Sequence, residues 1–176
     1  MTPTHWPVIG HAWAVANLDR AVLEQRPAHA YLISGPAHIG KTALAQALAL
    51  ALNCTSDADR PCGTCRACRL MSAGKHPDVQ FIAPEGRSLK IDQVRALQHD
   101  LALSPFEGRY RVAIFDQFET ATIEAQNALL KTLEEPPPSL RIVLTSTDPD
   151  RLLPTVRSRC QLLRLPLPPV QQAISW

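Results

Sequence analysis

No apolar run in this chain of 176 residues approaches the ~18 residues that a membrane-spanning helix requires. The opening residues, M-T-P-T-H-W-P, lack both the basic and the apolar segment of a secretory leader. These two absences point to the cytoplasm and to no membrane partner. Strong net charge is lacking as well. At +2, from 18 basic and 16 acidic side chains, nothing global argues for nucleic acid or a membrane surface, although a local basic face is compatible with that total. Nor are the cysteines spread as a disulfide framework would need. Of five, four crowd between Cys54 and Cys68, which in a reducing compartment indicates a metal site. What remains, 45% hydrophobic residues in a length typical of one domain, is enough for one sizeable core. Sixteen prolines exceed the usual share of about 5% and fall mostly in turns and in the terminal run from Pro166 to Pro169.

The stretch around which the chain is organised is Gly35-Pro36-Ala37-His38-Ile39-Gly40-Lys41-Thr42, which satisfies G-x-x-x-x-G-K-[ST]. Ala30 to Ser34 before it has the composition of a buried strand. Thr42 to Leu52 after it, T-A-L-A-Q-A-L-A-L-A-L, is a helix by length and Ala/Leu content. In that setting the backbone N–H groups of the loop and the positive end of the helix dipole converge on an anion. Gly35, His38, Ile39 and Gly40 form the cradle, Lys41 reaches the terminal phosphates and Thr42 offers its hydroxyl to magnesium, so ATP or ADP with Mg2+ is the expected ligand. A second signature follows about 75 residues on: Val112-Ala113-Ile114-Phe115-Asp116, four apolar residues and an acid. An acid at the carboxyl end of a buried parallel strand can hold the magnesium water shell opposite Thr42.

The cysteines read C-x7-C-x2-C-x2-C at Cys54, Cys62, Cys65 and Cys68. Two overlapping C-x-x-C units put three thiolates on one knuckle, and the fourth completes a tetrahedron suited to Zn2+; with all four positions filled by protein, the role is structural. A redox dithiol or an iron–sulfur ligand set uses the same residue type. Zinc is favoured because neither alternative accounts for an insert that interrupts a nucleotide-binding unit. Cys160, outside the cluster, reads as a small buried apolar residue.

Other segments complete an alternation. Ala12 to Gln25 is helical and closed by Pro27. The preceding Val8 to Gly10 either line the base end of a nucleotide pocket or simply pack. Asp78 to Ile82, Arg141 to Thr147 and Gln161 to Leu165 read as strands, Ile91 to Leu103 and Thr122 to Glu135 as helices, and Asp148 to Val156 as a turn with a short helix. Arg87, Lys90 and Arg95 read as solvated charges rather than a nucleic-acid face. Strands alternating with helices imply an α/β fold, a five-stranded parallel sheet between helices with ligands at the carboxyl ends of the strands. Residues 1–166 then form the nucleotide-binding domain, with the zinc module within 54–68, and 167–176 begin a linker.

Taken together, these motifs resemble the AAA+ P-loop NTPase module of bacterial DNA polymerase III clamp-loader subunits. The resemblance rests on His29-Ala30-Tyr31-Leu32 before the loop, the four-cysteine insert, the run Asn127-Ala128-Leu129-Leu130-Lys131-Thr132-Leu133-Glu134-Glu135-Pro136-Pro137, and Ser158-Arg159-Cys160. Within the family, Lys90 to Arg95 and Leu103 to Tyr110 are more similar to the delta prime type than to the gamma/tau motor. The motor type usually carries Asp-Glu at the second signature. Here Gln117 follows Asp116, and an amide cannot act as a base toward the attacking water. Glu119 lies two positions further on and need not reach that water.

The resemblance thus implies nucleotide binding with weak or absent ATPase activity of this subunit's own, as part of a DNA-directed DNA polymerase holoenzyme. Arg159 would act in trans, as an arginine finger on the neighbouring subunit's γ-phosphate. Thr147, or Thr145 two residues before it, would sense the γ-phosphate. The implied partners are the other clamp-loader subunits, gamma/tau and delta, with the sliding clamp and primed DNA reached through the complex. A helical lid bearing a further arginine, and then a collar, are expected beyond the fifth strand, so that this sequence represents the N-terminal ATPase part. The alternative is a hydrolysis-competent gamma/tau-type motor.

Overall fold

The computed structural model describes residues 6–167. Apart from Leu167, the linker expected over 167–176 lies outside the described residues, as do residues 1–5 of the opening segment. Among the described residues no helix is long and apolar enough to cross a membrane.

Five strands form one parallel sheet in the order β2-β3-β4-β1-β5: β1 (Ala30–Ser34), β2 (Val79–Ile82), β3 (Arg111–Phe115), β4 (Leu140–Ser146) and β5 (Gln161–Arg164). β1, β3 and β4 are inner strands and almost wholly buried, which is why they read as unbroken apolar runs. Side chains alternate between two cores. Tyr31, Ile33, Val112, Ile114 and Val143 face α1 (Ala12–Leu23) and α2 (Lys41–Asn53). Ala30, Leu32, Ala113, Phe115 and Leu144 face α4 (Ile91–Leu101), α5 (Ile123–Glu134) and α6 (Pro154–Arg157). The fold is a five-stranded parallel α/β sheet with one layer of helices on each face.

Helix ends differ from the sequence expectation for local reasons. α1 stops at Leu23, before Pro27, because Gln25 adopts a left-handed φ of 55° and Arg26 N bonds back to Ala21 O, closing the helix with a turn. α4 stops at Leu101 rather than Leu103, since the residue before Pro105 is biased away from helix. α5 is capped by the Thr122 hydroxyl, which accepts from Ala125 N, and ends one residue short of Glu135, which precedes Pro136. α3 (Arg66–Ser72), unread in the sequence, continues directly from the cysteine knuckle, with Cys65 Sγ at its N-cap accepting from Cys68 N.

Candidate functional site

β1 ends at Ser34, which pairs with Ser146 of β4 on one side and Arg164 of β5 on the other, so the glycine loop springs from the carboxyl edge of the sheet. Gly35 is required by space: a Cβ there would lie 2.6 Å from the Leu165 carbonyl oxygen. Gly40 is required by conformation, since its φ of 98° leads the chain into α2. His38 also takes a left-handed φ, of 60°. The His11 ring Nε2 lies 3.0 Å from Ile39 O and ties the segment before α1 to the loop.

Lys41 is the first residue of α2 and only 8% exposed. Its Nζ donates to Gly35 O at 2.9 Å and Pro36 O at 2.6 Å. An ammonium has three donors, and the loop carbonyls take two of them. Burial lowers the pKa of this amine, while the charges of Glu119 and then Asp116 act to raise it. Thr42 Oγ1 donates to Asp116 Oδ1 at 2.7 Å, and Thr145 Oγ1 donates to the same oxygen at 2.8 Å while accepting from Gln117 N at 3.0 Å. The ends of two neighbouring strands, β3 and β4, and the start of α2 thereby converge on one carboxylate at the mouth of the sheet. This donor set fits magnesium nucleotide: a buried cation at the loop, and a hydroxyl already aligned with an acid.

Of the two threonines, Thr145 is buried against Asp116 and Thr147 is exposed at the end of β4. Beyond Asp116 the strand does not continue. Gln117 is exposed with a left-handed φ of 50°, and Phe118–Thr120 form a single 3-10 turn anchored by fully buried Phe118, edge-on to Phe115 at 5.8 Å. The turn carries Glu119 inward to 9% exposure, where Oε1 accepts from Thr147 N at 3.1 Å and from Thr147 Oγ1 at 2.6 Å. Glu119 is the residue that sequence reasoning undervalued. Its only sequence signal is an acid near Asp116, and the backbone reversal at Gln117 decides where that acid goes.

Arg159 lies apart from this cluster, between α6 and β5. Its guanidinium pairs with Glu134 at 3.0 Å and donates to Thr155 O at 2.8 Å, leaving the side chain 34% exposed. Cys160 beside it is an inert thiol, its pKa pushed up to about 12 by burial.

The four sulfurs of Cys54, Cys62, Cys65 and Cys68 all lie within 4.8 Å of one another. None is in a disulfide. Backbone N–H groups point at three of them: Cys62 N to Cys54 Sγ at 3.3 Å, Cys65 N to Cys62 Sγ at 3.3 Å and Cys68 N to Cys65 Sγ at 3.4 Å. Burial raises the pKa of the Cys54 and Cys68 thiols. At Cys65 burial opposes ionisation, but N–H groups of Thr55 and Cys68 outweigh it and bring the thiol to about 6. Cys62 is lowered by the N–H groups of Thr64 and Cys65. Four converging sulfurs with N–H support fit a tetrahedral thiolate-bound metal.

Comparison with known proteins places these features in context. The family model for "DNA polymerase III, delta subunit" matches residues 10–169. The DNA polymerase III subunit delta' of Pseudomonas aeruginosa is 42% identical over 169 residues, which is 94% of this chain and 52% of that protein. The DNA polymerase III subunit tau of Escherichia coli is 37% identical over 166 residues, 94% of this chain and 26% of that one. Among solved structures, a DNA polymerase III gamma subunit-related protein of Thermotoga maritima superposes with a TM-score of 0.63 at 27% identity, over 89% of this chain and 47% of that one. The chain thus spans about half the length, or less, of the relatives it matches.

Proposed function

The chain belongs to the DNA polymerase III delta-subunit family, and from that premise we propose that it is a delta prime-like part of a clamp loader, helping to open a sliding clamp and place it on primed DNA. Residues 1–166 serve as the nucleotide-binding domain, and 167–176 begin a linker toward a helical lid. Gly35, His38, Ile39 and Gly40 cradle the phosphates of ATP or ADP, Lys41 neutralises them, and Thr42 with Asp116 holds magnesium. The metal supplies charge neutralisation at the transferred phosphoryl group. The exposed end of β4 at Thr147 is the place from which a terminal phosphate is sensed. Zinc on Cys54, Cys62, Cys65 and Cys68 is structural, since the four sulfurs leave no open coordination position.

The observation that carries this reading is an intact phosphate loop, joined through Thr42 to Asp116, beside an exposed Gln117 where an active motor carries glutamate. Turnover by this subunit is therefore slow, on the order of the ~10^-4 to 10^-2 per second of unassisted P-loop hydrolases. Its larger catalytic contribution is Arg159, on an outer surface away from Lys41, available to the γ-phosphate of an adjacent subunit. Micromolar equilibrium binding of a fluorescent ATP analogue by the chain is expected, and its absence rejects nucleotide binding in favour of a purely structural zinc adaptor. In a complex reconstituted with gamma/tau and delta, Arg159→Ala abolishes DNA-stimulated hydrolysis while assembly is retained; unchanged hydrolysis rules out the finger. The tau similarity keeps one rival, a self-sufficient motor, and steady-state turnover of the isolated chain near 1 per second or faster would select it.

A further inference from the structure

The cleft beside the phosphate loop carries a large aromatic side chain that the fold does not bury. Trp13 is 49% exposed, whereas Ala14, Val15 and Leu18 next to it on α1 are buried in the core. A lone exposed apolar residue needs no explanation, but this one has a fixed place. Gly10 and His11 take consecutive left-handed φ values of 80° and 53°, which turns the chain into α1, and the His11 ring Nε2 meets Ile39 O at 3.0 Å. The first turn of α1 is thereby held against the loop. Trp13 lines an open cleft of about 610 Å³ together with Gly35 and Pro36 of the loop, Leu165 and Pro166 after β5, and Thr147 after β4. Small-molecule sites are clefts of this size, about 300 to 1,000 Å³, with mainly apolar walls and a few polar groups.

A nucleotide with its phosphates on the N–H groups of the loop must place its base in an adjoining space, and this cleft opens directly from Gly35 and Pro36. We propose that Trp13 is the base-recognising residue of the site, its indole stacking on the purine ring of the bound nucleotide. The proposal rests on the nucleotide-binding reading above and asks nothing of hydrolysis. Of the residues ahead of α1, Val8 packs into the core, and Ile9 is 69% exposed but offers no ring. An indole and a base attract through dispersion and through the water that both give up, and every base has a face on which this can happen. The strength follows ring area. Purine nucleotides are therefore preferred over pyrimidine ones, and adenine is not set apart from guanine.

Inorganic tripolyphosphate separates the base from the phosphates, since it offers the loop a similar anion without a ring. With Mg2+ present, titration calorimetry of the chain should give Trp13→Ala an ATP affinity about tenfold below wild type, within the range of base–aromatic stacking, and a tripolyphosphate affinity within about twofold of it. Trp13→Phe keeps a ring and should recover most of the loss. Wild type should bind GTP about as tightly as ATP, and CTP at least about threefold more weakly. Fluorescence gives a second readout. ATP should quench part of the intrinsic tryptophan emission, tripolyphosphate should not, and the difference should vanish in Trp13→Phe, where Trp6 and Trp176 remain. Unchanged ATP affinity in Trp13→Ala, an equal loss for ATP and tripolyphosphate, or wild type that binds ATP no more tightly than tripolyphosphate would each overturn the inference alone. Wild type that binds neither would overturn the underlying reading and this inference with it.

Discussion

Replacing Asp78 should unfasten the metal module from the sheet, and the structure sets the scale of the effect. Asp78 is fully buried immediately before β2. Its carboxylate accepts from Phe106 N at 2.5 Å, Glu107 N at 2.9 Å and Gly108 N at 2.6 Å, and it faces Arg111 at 3.7 Å. The loop so gathered continues to Tyr110, whose N and O both bond to the Asn53 side chain at the end of α2, each at 3.0 Å. A Cβ on Gly108 would stand 2.6 Å from Asn53 Oδ1, so the packing is close. Asp78→Ala strips three donors of their acceptor and leaves Arg111 nearly buried without its acid. Breaking a buried pair in this way costs about 3 to 5 kcal/mol, a large part of a typical total of roughly 5 to 15 kcal/mol. Asp78→Asn keeps one acceptor and should lose about 1 to 3 kcal/mol.

The pH dependence carries a definite sign. Burial alone would raise the pKa of Asp78, but the three N–H groups and Arg111 outweigh it and lower the value. A depressed carboxyl stabilises the native state above its unfolded value near 3.9, and that contribution is lost as pH falls through the lower native value. Urea denaturation followed by circular dichroism at pH 7 and again near pH 2 measures both effects. The reasoning fails if Asp78→Ala lies within about 1 kcal/mol of wild type at pH 7, or if its cost is the same at both pH values.

Other expectations are more local. Freshly purified protein should contain about one zinc per chain by atomic absorption, with Cys65→Ser losing it; less than about half an equivalent in wild type would argue against a tetrahedral thiolate site. Gly35→Ala should cost about 1 to 3 kcal/mol by thermal unfolding and weaken nucleotide binding, because its methyl collides with the backbone of Leu165 rather than with a movable side chain. Unimpaired stability and affinity in that variant would show that the loop adjusts freely.

Much of the architecture was legible because it is written locally. The phosphate loop, the cysteine spacing and the apolar runs of β1, β3 and β4 depend on neighbours in the chain. Helix C-termini were legible to within about two residues where a proline follows, the offset at α1 arising because a left-handed Gln25 closes the helix ahead of Pro27. α3 was hidden because its seven residues are too few to show a period and its N-cap is a cysteine rather than a serine or aspartate.

The sequence by itself determined the chemistry on offer: a loop with the glycines, lysine and threonine that phosphate needs, an acid closing an apolar strand, four sulfurs at metal spacing, and an arginine in a Ser-Arg-Cys run. Tertiary structure alone decided how that chemistry is shared out. The strand order β2-β3-β4-β1-β5 sets β4 between β3 and β1, and so brings Thr145 rather than Thr147 onto Asp116, with Thr42 from the other side. The reversal at Gln117 turns one acid inward and one amide outward, and Thr147 then meets Glu119. Local pattern specifies which residues sit on one face of one element, but which elements meet, and in which direction a strand leaves the sheet, depends on packing across the whole chain.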